Sequence, residues 1–171
     1  RHETPKGVYA AARVTRGGET LNAVVAAALP GAVARMTFPK TMRWGTGEHV
    51  FVRPVHWVVA LAGDQVIDVE LFGVPAGRAT RGHRTQAPGP HDVPHASAWE
   101  GVLERAGVVA DPERRRIRLD EALRAAAAHA GGRPVDDPEL LREVADIVEY
   151  PGALYGTFDA HYVRDLPAEG L

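Results

Sequence analysis

The chain has no cysteine. That excludes disulfides, thiolate zinc sites and cysteine nucleophiles together, and it fits a reducing compartment. Serine is nearly absent too: Ser97 alone, at the expected start of a helix, where capping explains it and a hydrolytic triad does not. No apolar run approaches the roughly 20 residues of a membrane helix. Lysine is limited to Lys6 and Lys40, so the other 18 of the 20 positive residues are arginines. The opening Arg1-His2-Glu3-Thr4-Pro5 carries neither an initiator methionine nor a signal-peptide pattern and reads as the edge of an excised piece, internal to a longer chain.

What is present describes one soluble domain over 1–171. Hydrophobic content of 45% and charged content of 25% in 18.4 kDa are ordinary for a globular fold. A compact chain of this mass would expose roughly 8,200 Å² and bury about 69% of its unfolded surface. The net charge of −2 conceals a division. Residues 1–84 hold 11 Lys and Arg against 6 Asp and Glu, a balance of +5; residues 85–171 hold 9 against 16, a balance of −7. A basic first part implies an anionic partner there.

Patterning separates strands from helices. A strand is expected over 8–14, ended by Thr15-Arg16-Gly17-Gly18, completing a lead-in over 1–18. A helix begins at Glu19 with Leu21, Val24, Val25, Ala28 and Leu29 on one face, and Pro30 kinks it or opens one more turn. A loop with Pro39 and Gly45-Thr46-Gly47 follows. Residues 50–61 are β-branched and aromatic, with Pro54 marking an edge or bulge. Gly63-Asp64 turns the chain into a returning strand to Phe72, and a third strand fits Arg78–Arg84. Ala87–Pro94 reads as loop. The segment 95–150 is helical and acidic: Ser97–Ala106 stopped by Gly107, then helices opened by Asp111-Pro112-Glu113 and Asp137-Pro138-Glu139. A strand is expected to return within 151–171, at Gly152–Phe158. Strands gathered before helices indicate an α+β fold.

Chemistry is sparse. His91 and His95 have a metal-like spacing, but Pro90 and Pro94 put them in a loop, so no metal site is assigned. Trp44-Gly45-Thr46-Gly47 lacks the Lys-Ser/Thr ending of a phosphate loop. No paired carboxylates stand out, and no catalytic residue is assigned. The strongest cluster interleaves cations with aromatics: Lys40, Arg43, Trp44, Arg53, His56 and Trp57, then Arg78, Arg81, His83 and Arg84. Long cationic side chains meet phosphates, and Trp or His stacks splayed RNA bases. The competing reading makes the tryptophans core and pairs the arginines with the acidic second half.

Phe38-Pro39-Lys40-Thr41-Met42-Arg43-Trp44-Gly45, Phe51-Val52-Arg53-Pro54-Val55-His56-Trp57, Leu71-Phe72-Gly73 and Thr80-Arg81-Gly82-His83-Arg84 together resemble the β-subunit of heterotetrameric bacterial glycyl-tRNA synthetase. Leu140-Leu141-Arg142-Glu143-Val144, Val148-Glu149-Tyr150-Pro151 and Gly156-Thr157-Phe158-Asp159 continue the match over about 19–167. Thr85 and Tyr150 depart from the family pattern, which has aromatic and Trp residues there. The resemblance implies a B3/B4-type domain similar to that of the phenylalanyl-tRNA synthetase β-subunit, with layered sheets and packed helices. It implies a cytoplasmic, non-catalytic tRNA-binding or structural role that supports ATP-dependent glycylation of tRNA-Gly by the α-subunit. ATP and Mg would sit on that subunit, with no cofactor here; the partners would be tRNA-Gly, the α-subunit and the remaining β-subunit domains, and no membrane. Lys40, Arg43, Arg53, His56, Arg81, His83 and Arg84 would contact the tRNA. An editing-like deacylase using His56, Thr80 and His83, or a docking module presenting helices 112–130 and 137–149, are the alternatives.

Overall fold

The computed structural model describes residues 2–10, 12, 14, 17–165 and 167. The chain forms two compact units, Arg1–Gly77 and Arg78–Leu171, where composition suggested one domain changing character near residue 84.

In the first unit, β1 (His2–Thr4) and β2 (Gly7–Tyr9) form an antiparallel hairpin. Of the strand expected over 8–14, Val8 and Tyr9 lie in β2, and residues 10, 12 and 14 are not in a strand; residues 11, 13, 15 and 16 lie outside the described residues. α1 runs Leu21–Ala34, capped by Thr20, whose Oγ1 accepts the Ala23 N–H at 3.2 Å. Pro30 lies inside the helix, which loses the N–H there but continues past it. Next come β3 (Met42–Arg43), β4 (Val50–Phe51), β5 (Val58–Val59), β6 (Leu61–Ala62), β7 (Gln65–Val66), β8 (Glu70–Leu71) and β9 (Val74–Gly77). β3 pairs with β4 antiparallel, closing into a hairpin what had looked like open loop. β6 and β7 pair across Gly63-Asp64, as the turn signal indicated, with Gly63 at φ +64°. β9 lies between β5, which it meets in parallel, and β8. The expected strand over 50–61 is thus three short pieces, interrupted around Pro54, which cannot donate to a ladder. Ile67 and Val69, in the extended link between β7 and β8, are buried on either side of exposed Asp68.

The second unit opens with β10 (Ala79–Arg81) and β11 (Pro90–Asp92), antiparallel, with buried Thr80 opposite His91. A 3₁₀ turn, Ala96–Ala98, precedes α2 (Trp99–Arg105); α3 spans Pro112–His129, α4 Pro138–Ile147 and α5 His161–Asp165. Ser97 lies within the 3₁₀ turn and does not cap it. His95 Nδ1 does, accepting the Ser97 N–H at 3.2 Å. Asp111 caps α3 through the Glu113 and Arg114 N–H groups, and Asp137 caps α4 through Leu140 N–H. α3 packs on α4, with Leu119 and Ala145 buried, while Val93, Val102, Leu103, Ala106 and Val109 are buried elsewhere in the unit. Arg115 donates to the carbonyls of Ala145, Val109 and Ala110, each at 2.9 Å, tying α4 to the start of α3. No strand forms at Gly152–Phe158. With no partner ladder there, Leu154 is fully exposed and Phe158 is 70% exposed.

Candidate nucleic-acid interface

The register of β3 on β4 pairs Arg43 with Val50 and Met42 with Phe51. Trp44 follows directly, and its indole N–H donates to the Phe51 carbonyl at 3.0 Å, fastening the hairpin from outside the ladder. Phe51 then has two ring neighbours: Phe38 edge-on at 5.2 Å and Phe72 tilted at 4.5 Å between centroids. His49 stands perpendicular to Phe72 at 6.3 Å. Phe72 and Gly73 connect β8 to β9 in two residues, at φ +57° and +75°. Positive φ at both central positions suits a tight hairpin, but a phenylalanine there is strained. The strain is held by the ring's packing on Phe51.

These rings and their neighbours line an open cleft of about 230 Å³ with Trp44, His49, Phe51, Arg53, His56 and Phe72 in its walls. Two of the sequence-predicted residues, Arg53 and His56, meet there. Lys40 and Arg43 belong to the same unit and are exposed, but do not line the cleft. Lys40, Arg43 and Arg53 make no ion pair with a described residue. Trp57 stacks beside His56 and is 43% exposed, so it is not the core residue of the competing reading. Trp44 is half-buried and serves the hairpin.

Arg81, His83 and Arg84 lie in the second unit. Arg81 and Arg84 are exposed. His83 is half-buried and occupied: its Nδ1 accepts the N–H groups of Thr85 and Gln86 at 3.4 and 3.3 Å, which fixes the Nε2–H tautomer, and its own N–H donates to the Ala106 carbonyl at 2.7 Å. These bonds engage its Nδ1 and its backbone N–H in the loop. Thr80, named for the deacylase alternative, is 5% exposed. His91 donates through Nε2 to the Ala87 carbonyl at 3.0 Å when that nitrogen carries the proton. Among the described residues no group of three His, Cys, Asp or Glu is arranged to hold a metal ion.

The arginines of α3 contrast with those of the cleft. Arg114 pairs with Glu104 at 2.9 Å, Arg124 with Asp120 at 2.8 Å, and Arg116 with Glu113. The Arg116 hydrogen bond holds the Glu113 carboxyl below its ordinary range, and Arg124 does the same to Asp120. The competing reading paired the arginines of the cluster with the acidic second half; the pairs on α3 instead join arginines and carboxylates of the helical region itself. Sequence reasoning missed His49 and Phe72 as cleft residues. For Phe72 a signal existed: Phe-Gly stands between two strand-forming stretches at the two-residue spacing of a hairpin.

The family described as glycyl-tRNA synthetase beta subunit matches residues 1–171. The chain is 46% identical over 95% of its length to the glycine–tRNA ligase beta subunit of Moorella thermoacetica, 43% over 99% to that of Chromohalobacter salexigens, and 41% over all of it to that of Myxococcus xanthus. It spans 23–24% of the length of these curated relatives.

Proposed function

The chain belongs to the glycyl-tRNA synthetase β-subunit family, and on that premise we propose that it is a non-catalytic region that contacts tRNA-Gly while the α-subunit carries out ATP-dependent glycylation. The observation that carries this is the presentation of Lys40, Arg43 and Arg53: exposed, in one unit, and without carboxylate partners among the described residues. Cations left unpaired by their own protein remain available to neutralise phosphates, whereas paired ones would first have to break a bridge. The benefit to catalysis would be positional, holding the tRNA so that its acceptor end reaches a separate active site. Kinship with the B3/B4-type domain, suggested by the resemblance, belongs to the same proposal; the chain itself is a mixture of small sheets and helices.

Binding of tRNA-Gly by the full β-subunit across a salt series tests the reading. Each phosphate contact to single-stranded nucleic acid adds about 0.7 to the slope of log affinity against log salt. Replacing Lys40, Arg43 and Arg53 together by Gln is expected to flatten that slope by about 2, at unchanged secondary structure. An unaltered slope would remove these residues from the interface.

A further inference from the structure

The cleft has features that phosphate neutralisation does not require. Three apolar aromatic rings, Trp44, Phe51 and Phe72, converge there with two imidazoles, His49 and His56, and one guanidinium, Arg53. Aromatic rings at a cation-lined surface suit a flat, electron-rich ligand, since every nucleobase has a π-face that stacks without regard to sequence. A cleft of about 230 Å³ is smaller than the roughly 300–1,000 Å³ of a drug-sized site, so it takes one ring system and not an extended molecule. Charge narrows the class further. Arg53 carries no carboxylate partner among the described residues, and no Asp or Glu is among the described residues that line the cleft, the nearest in sequence being exposed Glu48; an anionic group beside the stacked ring would be drawn to the guanidinium. The imidazoles can donate to or accept from a base edge according to tautomer.

We infer that the cleft bounded by Trp44, His49, Phe51, Arg53, His56 and Phe72 binds a single unstacked nucleobase, with Arg53 on its adjoining phosphate. This rests on the proposed RNA contact and adds a base-stacking site to it. The base comes either from an unpaired nucleotide of the RNA or from a free nucleotide, and the chemistry of recognition is the same for both. Phe72 supplies a ring from a backbone conformation that costs it strain, which glycine would not pay at φ +57°. That makes the ring removable without disfavouring the turn.

The test uses the full β-subunit and a single-stranded RNA hexamer carrying one 2-aminopurine, whose fluorescence is quenched by stacking, with AMP as a second probe. The wild type is expected to quench the hexamer and to bind it, or AMP, about tenfold more tightly than Phe72→Gly does, the order of loss that removing one base-stacking ring causes. Arg53→Gln, at an exposed side chain with no ion pair to a described residue, is expected to weaken binding while keeping part of the quench. Preference for the hexamer assigns the site to an RNA base, and preference for AMP to a free nucleotide. If Phe72→Gly and Arg53→Gln both bind hexamer and AMP as the wild type does, no base occupies the cleft. That result would leave salt-dependent tRNA binding through Lys40 and Arg43 standing, so the two readings fail separately.

Discussion

Gly82 has no room for a side chain. A Cβ built there would lie 2.5 Å from the Ala106 carbonyl oxygen, 2.6 Å from Ala106 Cβ and 2.9 Å from the Ala87 carbonyl oxygen. Backbone, not a flexible tip, is what it would strike, so the loop must move. Gly82→Ala is expected to lower stability by about 1–3 kcal/mol, as overpacking does, seen as a fall in thermal midpoint. Gly101→Ala is the contrasting case. Its Cβ meets only the Arg105 guanidinium, at 3.4 Å, inside α2, and is expected to stabilise by about 0.5–1 kcal/mol. Equal effects of the two would deny that close approach explains Gly82. The same residue shows what a sequence conceals. Thr80-Arg81-Gly82-His83-Arg84 reads as a cationic contact segment, yet Gly82 and His83 fasten a loop to the end of α2. The partner carbonyl, Ala106, is 24 residues away in sequence and carries no local mark.

Helices were more legible than strands, for a physical reason, although the β6–β7 hairpin across Gly63-Asp64 was marked by its turn. Asp111-Pro112-Glu113 and Asp137-Pro138-Glu139 announce their own starts because capping is satisfied within three residues. α3 ends at Ala130-Gly131, with Gly131 at φ +76°, again a local event. Two-residue strands such as β5 exist only through a distant partner, β9, and the β-favouring run over 50–61 could not say where pairing would lapse. Gly152–Phe158 had strand composition and found no partner. On α3, the paired carboxylates make a pH prediction. Glu113 and Asp120 titrate below their ordinary values because arginine hydrogen bonds favour the charged form. A carboxylate lowered on folding contributes stability that is fully present above its unfolded pKa of about 4 and is lost as pH falls through the folded value. Thermal midpoints measured from pH 6 to pH 3 are therefore expected to fall on acidification, and to fall less steeply in Glu113→Gln/Asp120→Asn. An identical acid slope in that variant would show that these pairs do not contribute.

Across the whole molecule, the sign of charge was readable but its disposition was not. The first unit has 8 Lys and Arg against 6 Asp and Glu, a balance of +2, and the second has 12 against 16, a balance of −4. Net charge alone would make every arginine a candidate for phosphate. Pairing decides otherwise. Arg114, Arg116 and Arg124 already face carboxylates of the same helical region, while Lys40, Arg43 and Arg53 face none among the described residues. Two triple variants of the full β-subunit, each losing three positive charges, separate presentation from net charge. Replacing Lys40, Arg43 and Arg53 by Gln is expected to flatten the salt dependence of tRNA-Gly binding by about 2 in slope. Replacing Arg114, Arg116 and Arg124 by Gln is expected to leave that slope intact, because those charges are already paired with neighbouring carboxylates and solvent-exposed bridges of this kind contribute little to folding. Equal flattening in both would mean that the RNA responds to total charge, and that exposure without a partner is not what selects its contacts.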